Sequence, residues 1–175
     1  MQPEAFFRVV TMDHSSFEDR VLAILEREKI RFCVIGGQGV NAYVEPLVSL
    51  DLDIAVAAEQ IARLKEIVGR EFGMEQFPHS VNISDPGSAL RIQFQTDPRY
   101  SEFVAGAQMR PVLGRMMPVA SVEDVFRGKT WAALDPTRRP SKRQKDLADF
   151  ARLIESFPSL RDQTPPEILD RLEKP

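Results

Sequence analysis

Residues 33–56 read CVIGGQGVNAYVEPLVSLDLDIAV, and no other stretch restricts the fold as much. RFCVIG is an apolar run that reads as a buried strand ending at Gly36. GQGVNAYV follows as a short helix whose first residues are glycines, and SLDLDIAVA reads as a second strand. Alternate side chains of a strand share a face. Leu50, Leu52, Ile54 and Val56 are therefore expected in the core, and Ser49, Asp51, Asp53 and Ala55 on the opposite face. The two carboxylates then stand about 6–7 Å apart at the backbone. Like charges that close repel in a low-dielectric cleft, unless they are solvated or a cation lies between them. Mg²⁺ suits such a pair, because it takes one or two carboxylates and completes its shell with substrate phosphates and water. The plain alternative is a solvated strand face. Gly36–Gly37 adds weight to the first reading. Glycine allows close backbone approach, and a helix N-terminus offers unpaired N–H groups to an anion.

The rest of the chain supplies an α+β frame. SSFEDRVLAILEREKI reads as a helix, opened by Ser15 and Glu18 as a capping box. AEQIARLKEIVGREF is an amphipathic helix, with Ile61, Leu64, Ile67 and Val68 on one side. SVNIS and SALRIQFQT form a hairpin across a turn at DPG, and RYSEFVAGA is a short helix. VLGRMMPVAS is expected to be a last, edge strand, since Pro118 cannot donate to a central ladder. From Ser121 onward the character is helical: SVEDVFRGKTWAAL with Ser121 as its cap, a loop at DPTRRPS, KRQKDLADFARLIESF, and a final TPPEILDRLEK. The expected division is an α/β core over 1–120 and a helical region packed on it over 121–175.

A net charge of -3 gives no global signal for nucleic acid, so any such contact needs a local basic patch. Cys33 is the one cysteine, sits in an apolar run and has no internal partner, which fits a reducing cytoplasm. MQPEAFFRVVTMDHSS lacks a basic start followed by an apolar block, and no run approaches the length of a membrane span. His14 and His79 have no metal-ligand spacing around them and read as surface residues. Trp131 is expected to pack its helix against the sheet rather than to stack on a base. The pairs Phe6–Phe7 and Met116–Met117 either cover the core or mark a partner surface.

GGQGVNAYVEPLVSLDLDIAV resembles the signature of the nucleotidyltransferase fold shared with DNA polymerase beta. It looks nearest to the abortive-infection nucleotidyltransferase toxins of type IV toxin–antitoxin systems. In that family a Gly-Gly or Gly-Ser turn, a short helix and a Ser/Thr precede Asp-x-Asp, and here these are Gly36, Gly37, Ser49, Asp51 and Asp53. A second family run is matched by GKTWAALDPTRRPSKRQKDLADF, at Lys129, Ala132, Arg138 or Arg139, Lys145, Asp146 and Asp149.

The resemblance implies a mixed sheet flanked by helices and two Mg²⁺ ions. Its substrates would be an NTP and an RNA or protein hydroxyl acceptor, and its protein partner an antitoxin. Asp51 and Asp53 would hold the metals, Gly36, Gly37 and Ser49 the triphosphate, and Lys129 would neutralise phosphate charge. The basic run Arg138, Arg139, Lys142, Arg143 and Lys145 would meet the triphosphate or an RNA, or be solvated. Asp146 and Asp149 are expected to hold basic residues in place. Two departures stand out. Leu47 occupies a position where family members often carry arginine, and the third carboxylate expected on the neighbouring strand is a glutamine, Gln93. A glutamine adds no charge and cannot act as a base. The alternative to an enzyme is therefore a degenerate, non-catalytic binding or regulatory module of the same fold.

Overall fold

A computed structural model describes residues 15–173; His14 and the Phe6–Phe7 pair lie outside them, as does the side chain of Ser15. The element order is α1 (Ser15–Arg27), β1 (Phe32–Ile35), α2 (Gly36–Asn41), β2 (Asp51–Val56), α3 (Ile61–Glu71), β3 (Gly73–Phe77), β4 (Ser80–Ser84) and β5 (Arg91–Gln95). A 3₁₀ segment (Pro98–Val104) follows, then β6 (Gln108–Val112), β7 (Arg115–Val119), α4 (Val122–Leu134), α5 (Pro140–Ser156), a further 3₁₀ turn (Pro158–Gln163) and α6 (Pro166–Glu173). The strands form one seven-stranded mixed sheet in the order β3-β4-β5-β2-β1-β7-β6. The chain thus has the mixed α+β architecture expected of it.

Both faces of the sheet are covered. Phe17, Val21, Ile24 and Leu25 of α1 and Leu64, Ile67 and Val68 of α3 bury their apolar stripes against Leu52, Ile54, Ile92 and Phe94. On the other face, Cys33, Ile35 and Ala55 meet Val40 of α2, Val125 and Phe126 of α4, and Phe150 and Leu153 of α5. Asp51 and Asp53 share this second face with Ala55, so they point toward the C-terminal helices. Leu52, Ile54 and Val56 are buried as the alternation requires; Leu50 lies before β2 begins and is 37% exposed.

Three local differences have physical causes. β3 has almost no apolar alternation and lies at a sheet edge, so GMEQF carries little pattern that marks it as a strand. VLGRMMPVAS is not one edge strand: Leu113 and Gly114, both with positive φ, turn the chain between β6 and β7. Leu113 is not the Asn or Asp that usually marks such a turn. β7 itself lies between β1 and β6. Pro118 is tolerated there because the β1 ladder reaches β7 only at its end, at Val119 and through the Ala120 N–H to Val34 O (3.0 Å). The edge strand on that side of the sheet is β6.

Glu18 is buried in the first turn of α1, and its Oε1 has no hydrogen-bond partner among the described residues. Arg115 Nε stands 3.9 Å away. Burial pushes the carboxyl up from 4.5 to about 7, with Arg115 opposing and Asp19 adding to the shift. The folded state therefore holds this proton more tightly than the unfolded chain, and stability falls as pH rises from about 4.5 to about 7. Glu18→Gln is expected to be neutral at the acid end of that window and stabilising above it, by at most about 3 kcal/mol. Urea unfolding of both proteins across the window checks this; a constant difference at every pH would refute it.

Candidate functional site

β1 and β2 run antiparallel with Ile35 opposite Asp53, so the residue after β1 lands beside the Asp53 carboxylate. That residue is Gly36, with φ +63, and a Cβ there would lie 2.1 Å from Asp53 Oδ2. Only glycine permits both the left-handed backbone and this close approach. Gly37 is open: its nearest side-chain atoms, Lys145 Nζ and Ser49 Oγ, stand 3.9 Å from where a Cβ would be. α2 also sets the loop that leads into β2. Buried Gln38 donates through Nε2 to Ser49 O (3.0 Å). Asn41 brackets Leu47, donating to its carbonyl (2.7 Å) and accepting from its N–H (3.0 Å). These hydrogen bonds hold Ser49 next to the aspartates, and Gln38 and Asn41 were not marked by any sequence motif.

The neighbouring strand is β5, parallel to β2, with Asp51 opposite Arg91 and Asp53 opposite Gln93. Gln93 thus stands beside Asp53, where the resemblance expects a third acid. Asn82 of β4 is opposite Gln93, lines the same space, and has a buried Oδ1 with no partner among the described residues. Its position is readable from the alternation in SVNIS, in which Val81 and Ile83 face the core. Arg91 Nη2 pairs with Asp51 Oδ1 at 2.7 Å.

The opposite wall comes from the helices. Ser121 caps α4, accepting from the Asp124 N–H (3.1 Å). Two turns along, Lys129 is only 6% exposed. Its Nζ lies 3.0 Å from Asp146 Oδ1 and 2.6 Å from Asp149 Oδ2. Asp146 also holds Arg138, and Asp149 Oδ1 holds Arg152 Nη1 at 2.9 Å. Positions 142, 145, 146, 149 and 152 fall at three- and four-residue spacings, so one face of α5 carries the whole set. Lys142 Nζ reaches Asp51 Oδ2 (3.3 Å), and Lys145 Nζ donates to Ser49 Oγ (3.4 Å).

Gly37, Ser49, Asp51, Asp53, Gln93, Lys129 and Lys145 therefore line a single cleft of about 200 Å³, together with Asn82, Arg91, Arg138 and Lys142. Gly36 lines a narrower space that continues from it past Gln93, Gln95 and Tyr100. Beyond lies a wider cavity of about 450 Å³, walled by His79, Asp97, Trp131 and Arg138. Arg139 lies outside all three: it caps α5, its side chain is exposed, and Arg138 takes the position facing the cleft. Arg143 donates to Arg138 O (2.9 Å) instead of entering the cleft. Trp131 packs on the 3₁₀ segment after β5, stacked with Phe103 (centroids 5.7 Å apart), covered by the Arg99 guanidinium and joined to the core cluster that includes Ile35 and Ala55. Cys33 is a core thiol, pushed up to about 12 by burial and by Asp124, so it is chemically quiet. His79 is exposed in the β3–β4 turn.

The electrostatics separate the two aspartates. Asp51 is paired on both oxygens, while Asp53 makes no side-chain hydrogen bond or ion pair among the described residues. Burial raises Asp53 above the usual carboxylate range; Lys129 opposes this and Asp51 adds to it. Among the described residues no cluster of three or more His, Cys, Asp or Glu side chains is arranged to hold a metal. Two carboxylates at the floor of the cleft, one of them unpaired, do fit a divalent ion that takes the rest of its shell from phosphates. Lys129 keeps its proton: burial alone would weaken it, but Asp149 and Asp146 outweigh burial and raise it.

This buried network makes a stability prediction. Lys129→Met leaves two buried carboxylates short of a partner and is expected to cost about 3–5 kcal/mol. Lys142→Met removes a partly exposed cation and is expected to cost under about 1 kcal/mol. Chemical denaturation of the two variants checks the contrast; equal losses would refute it.

No protein-family model and no curated protein sequence matches the chain. Solved structures do. The antibiotic-resistance factor ANT(2'')-Ia superposes with a TM-score of 0.58 at 14% identity, over 87% of this chain and 93% of that one. The lincosamide antibiotic adenylyltransferase LnuA, with lincomycin bound, gives 0.52 at 12% identity over 77% and 94%. A nucleotidyltransferase-like protein from Paracoccidioides brasiliensis gives 0.50 at 16% identity over 87% and 77%. At such identities the likeness is one of fold, and the seven-stranded mixed sheet with helices on both faces is the nucleotidyltransferase fold.

Proposed function

We propose that the protein is a nucleotidyltransferase that moves a nucleotide from an NTP to a hydroxyl of RNA or protein. The observation that carries the reading is the convergence of Asp51 and Asp53 with Gly37, Ser49, Lys142 and Lys145 in one cleft. Carboxylates for a divalent ion and cations for phosphates there occupy opposite walls of a single space. The acceptor oxygen attacks the α-phosphorus, the bond from that phosphorus to the β-bridging oxygen breaks, and pyrophosphate leaves as the hydroxyl proton passes to solvent. Mg²⁺ bound by Asp51 and Asp53 with phosphate oxygens would supply charge neutralisation. Lys142 and Lys145 bind and orient the triphosphate, and Lys129, held by Asp146 and Asp149, adds a fixed positive charge behind it. The cavity of about 450 Å³ beyond Gln95 offers room for an acceptor. LnuA is by name an adenylyltransferase for lincosamide antibiotics, so small hydroxylated molecules belong in the acceptor screen beside RNA and protein. A role as the toxin of a toxin–antitoxin pair rests on the motif resemblance in residues 36–53 and 128–150 alone.

A second reading has one observation in its favour. Gln93 stands beside Asp53 where the resemblance expects an acid, and a site with two carboxylates instead of three suits a nucleotide-binding module without turnover.

Label transfer from each α-³²P-NTP, with Mg²⁺ and an acceptor panel, separates the two. Asp51→Asn and Asp53→Asn are each expected to lower transfer at least about 100-fold, as removal of a positioned charge does, with Tm changed by less than about 5 °C. Mg²⁺-dependent NTP binding with no transfer to any acceptor would favour the binding module. Gly36→Ala drives a methyl into Asp53, and misplacing a reacting group by about 1 Å is expected to cost about 100-fold in rate. Unaltered rates in that variant would mean that Asp53 is not held by Gly36 for catalysis.

A further inference from the structure

Arg91 is the cation at the cleft that no motif explains. It begins β5, directly opposite Asp51, and its Nη2 is 2.7 Å from Asp51 Oδ1. Its side chain is 69% exposed, so the pair is a rim contact that breaks readily. Lys142 takes the other oxygen of the same carboxylate. Among the described residues five basic and three acidic side chains line the cleft, an excess of cations where a two-metal site would concentrate carboxylates. Gln93 deepens that shortage. Two carboxylates fit one divalent ion, and the cation on each Asp51 oxygen competes with that ion for the carboxylate. A guanidinium is planar and forked, and it grips phosphate oxygens in pairs, so a triphosphate is the stronger partner for it.

We propose that Arg91 is a triphosphate-binding residue which the free protein stores on Asp51 Oδ1, and which releases that oxygen as it turns to the phosphates of an incoming nucleotide. The inference rests on the nucleotide-site reading of the cleft and adds one consequence to it. Arg91 opposes the metal when metal is alone and favours the polyphosphate, so its removal acts on the two ligands in opposite directions. Lys142 shares the task from α5, but it is partly packed, and Arg91 is the cleaner test because its side chain is mostly exposed.

The experiment is calorimetric titration of the wild-type chain, Arg91→Gln and Arg91→Lys with two probes: inorganic tripolyphosphate, and Mn²⁺ alone. Arg91→Gln is expected to bind tripolyphosphate at least about tenfold more weakly, the loss of one charge-assisted contact. The same variant is expected to bind Mn²⁺ more tightly than the wild type, and Arg91→Lys to fall between them for both probes. A merely structural role would weaken both probes together. Unchanged tripolyphosphate affinity, weaker Mn²⁺ binding, or a wild type that binds neither probe would each overturn the proposal. Label transfer keeps the two readings apart. Opposed shifts without transfer to any acceptor would leave Arg91 as a ligand of a binding module, and transfer without those shifts would remove the Arg91 role alone.

Discussion

The Lys129 ammonium is buried between two carboxylates of the next helix, and the candidate site is organised around that contact. A buried charge is tolerated only when it is paired. Lys129 therefore fixes both the approach and the rotation of α5 against α4. Once Asp146 and Asp149 face inward, residues three and four positions away on α5 must share that side. Lys142 and Lys145 come to the carboxylates of β2 as a consequence, and Arg152 comes to the loop that carries Ser49. The polar face of β2 and the basic half of α5 are thus one unit, closed by an apolar contact of Phe126 on Phe150 beneath it.

The arrangement treats two adjacent aspartates in different ways. Asp51 has both oxygens occupied by cations at the rim of the cleft, whereas Asp53 lies lower, against the bare backbone of Gly36. A carboxylate without partners and partly out of water gains affinity for a proton or for a cation. The site is thus prepared for positive charge at Asp53 and already supplied with it at Asp51. Asn82 and Gln93 add neutral oxygens at the same level without adding charge.

The residues of the site come from elements far apart in the chain, yet those that hold them in place are local. Gln38 directly follows Gly37 and Asn41 lies one helical turn further on, and both hydrogen-bond the loop before β2. Side chains at these positions satisfy backbone groups of an irregular segment that has no ladder of its own. Arg152 reinforces the same loop from α5, so the helical region supports the loop as well as the cleft.

Much of this is legible in the amino-acid sequence. Strand alternation placed Asp51 and Asp53 on a common face, Gly36 and Gly37 marked the turn from strand to helix, and KRQKDLADFARLIESF read as a periodic helix whose Asp146 and Asp149 hold basic residues. Period-two and period-3.6 patterns are local properties, so the sequence by itself determined which side chains travel together. It also determined that position 93 offers a glutamine and not an acid. Tertiary structure decided what faces what. Arg91 meets Asp51 because β5 inserts beside β2 in parallel register, a pairing that no local signal specifies. Arg138 rather than Arg139 enters the cleft because the turn into α5 rotates one inward and the other out. β7 lies inside the sheet despite Pro118, since the ladder that proline would weaken is short. Each of these depends on the relative position of elements distant in sequence, which is set by the packing of two cores against one sheet.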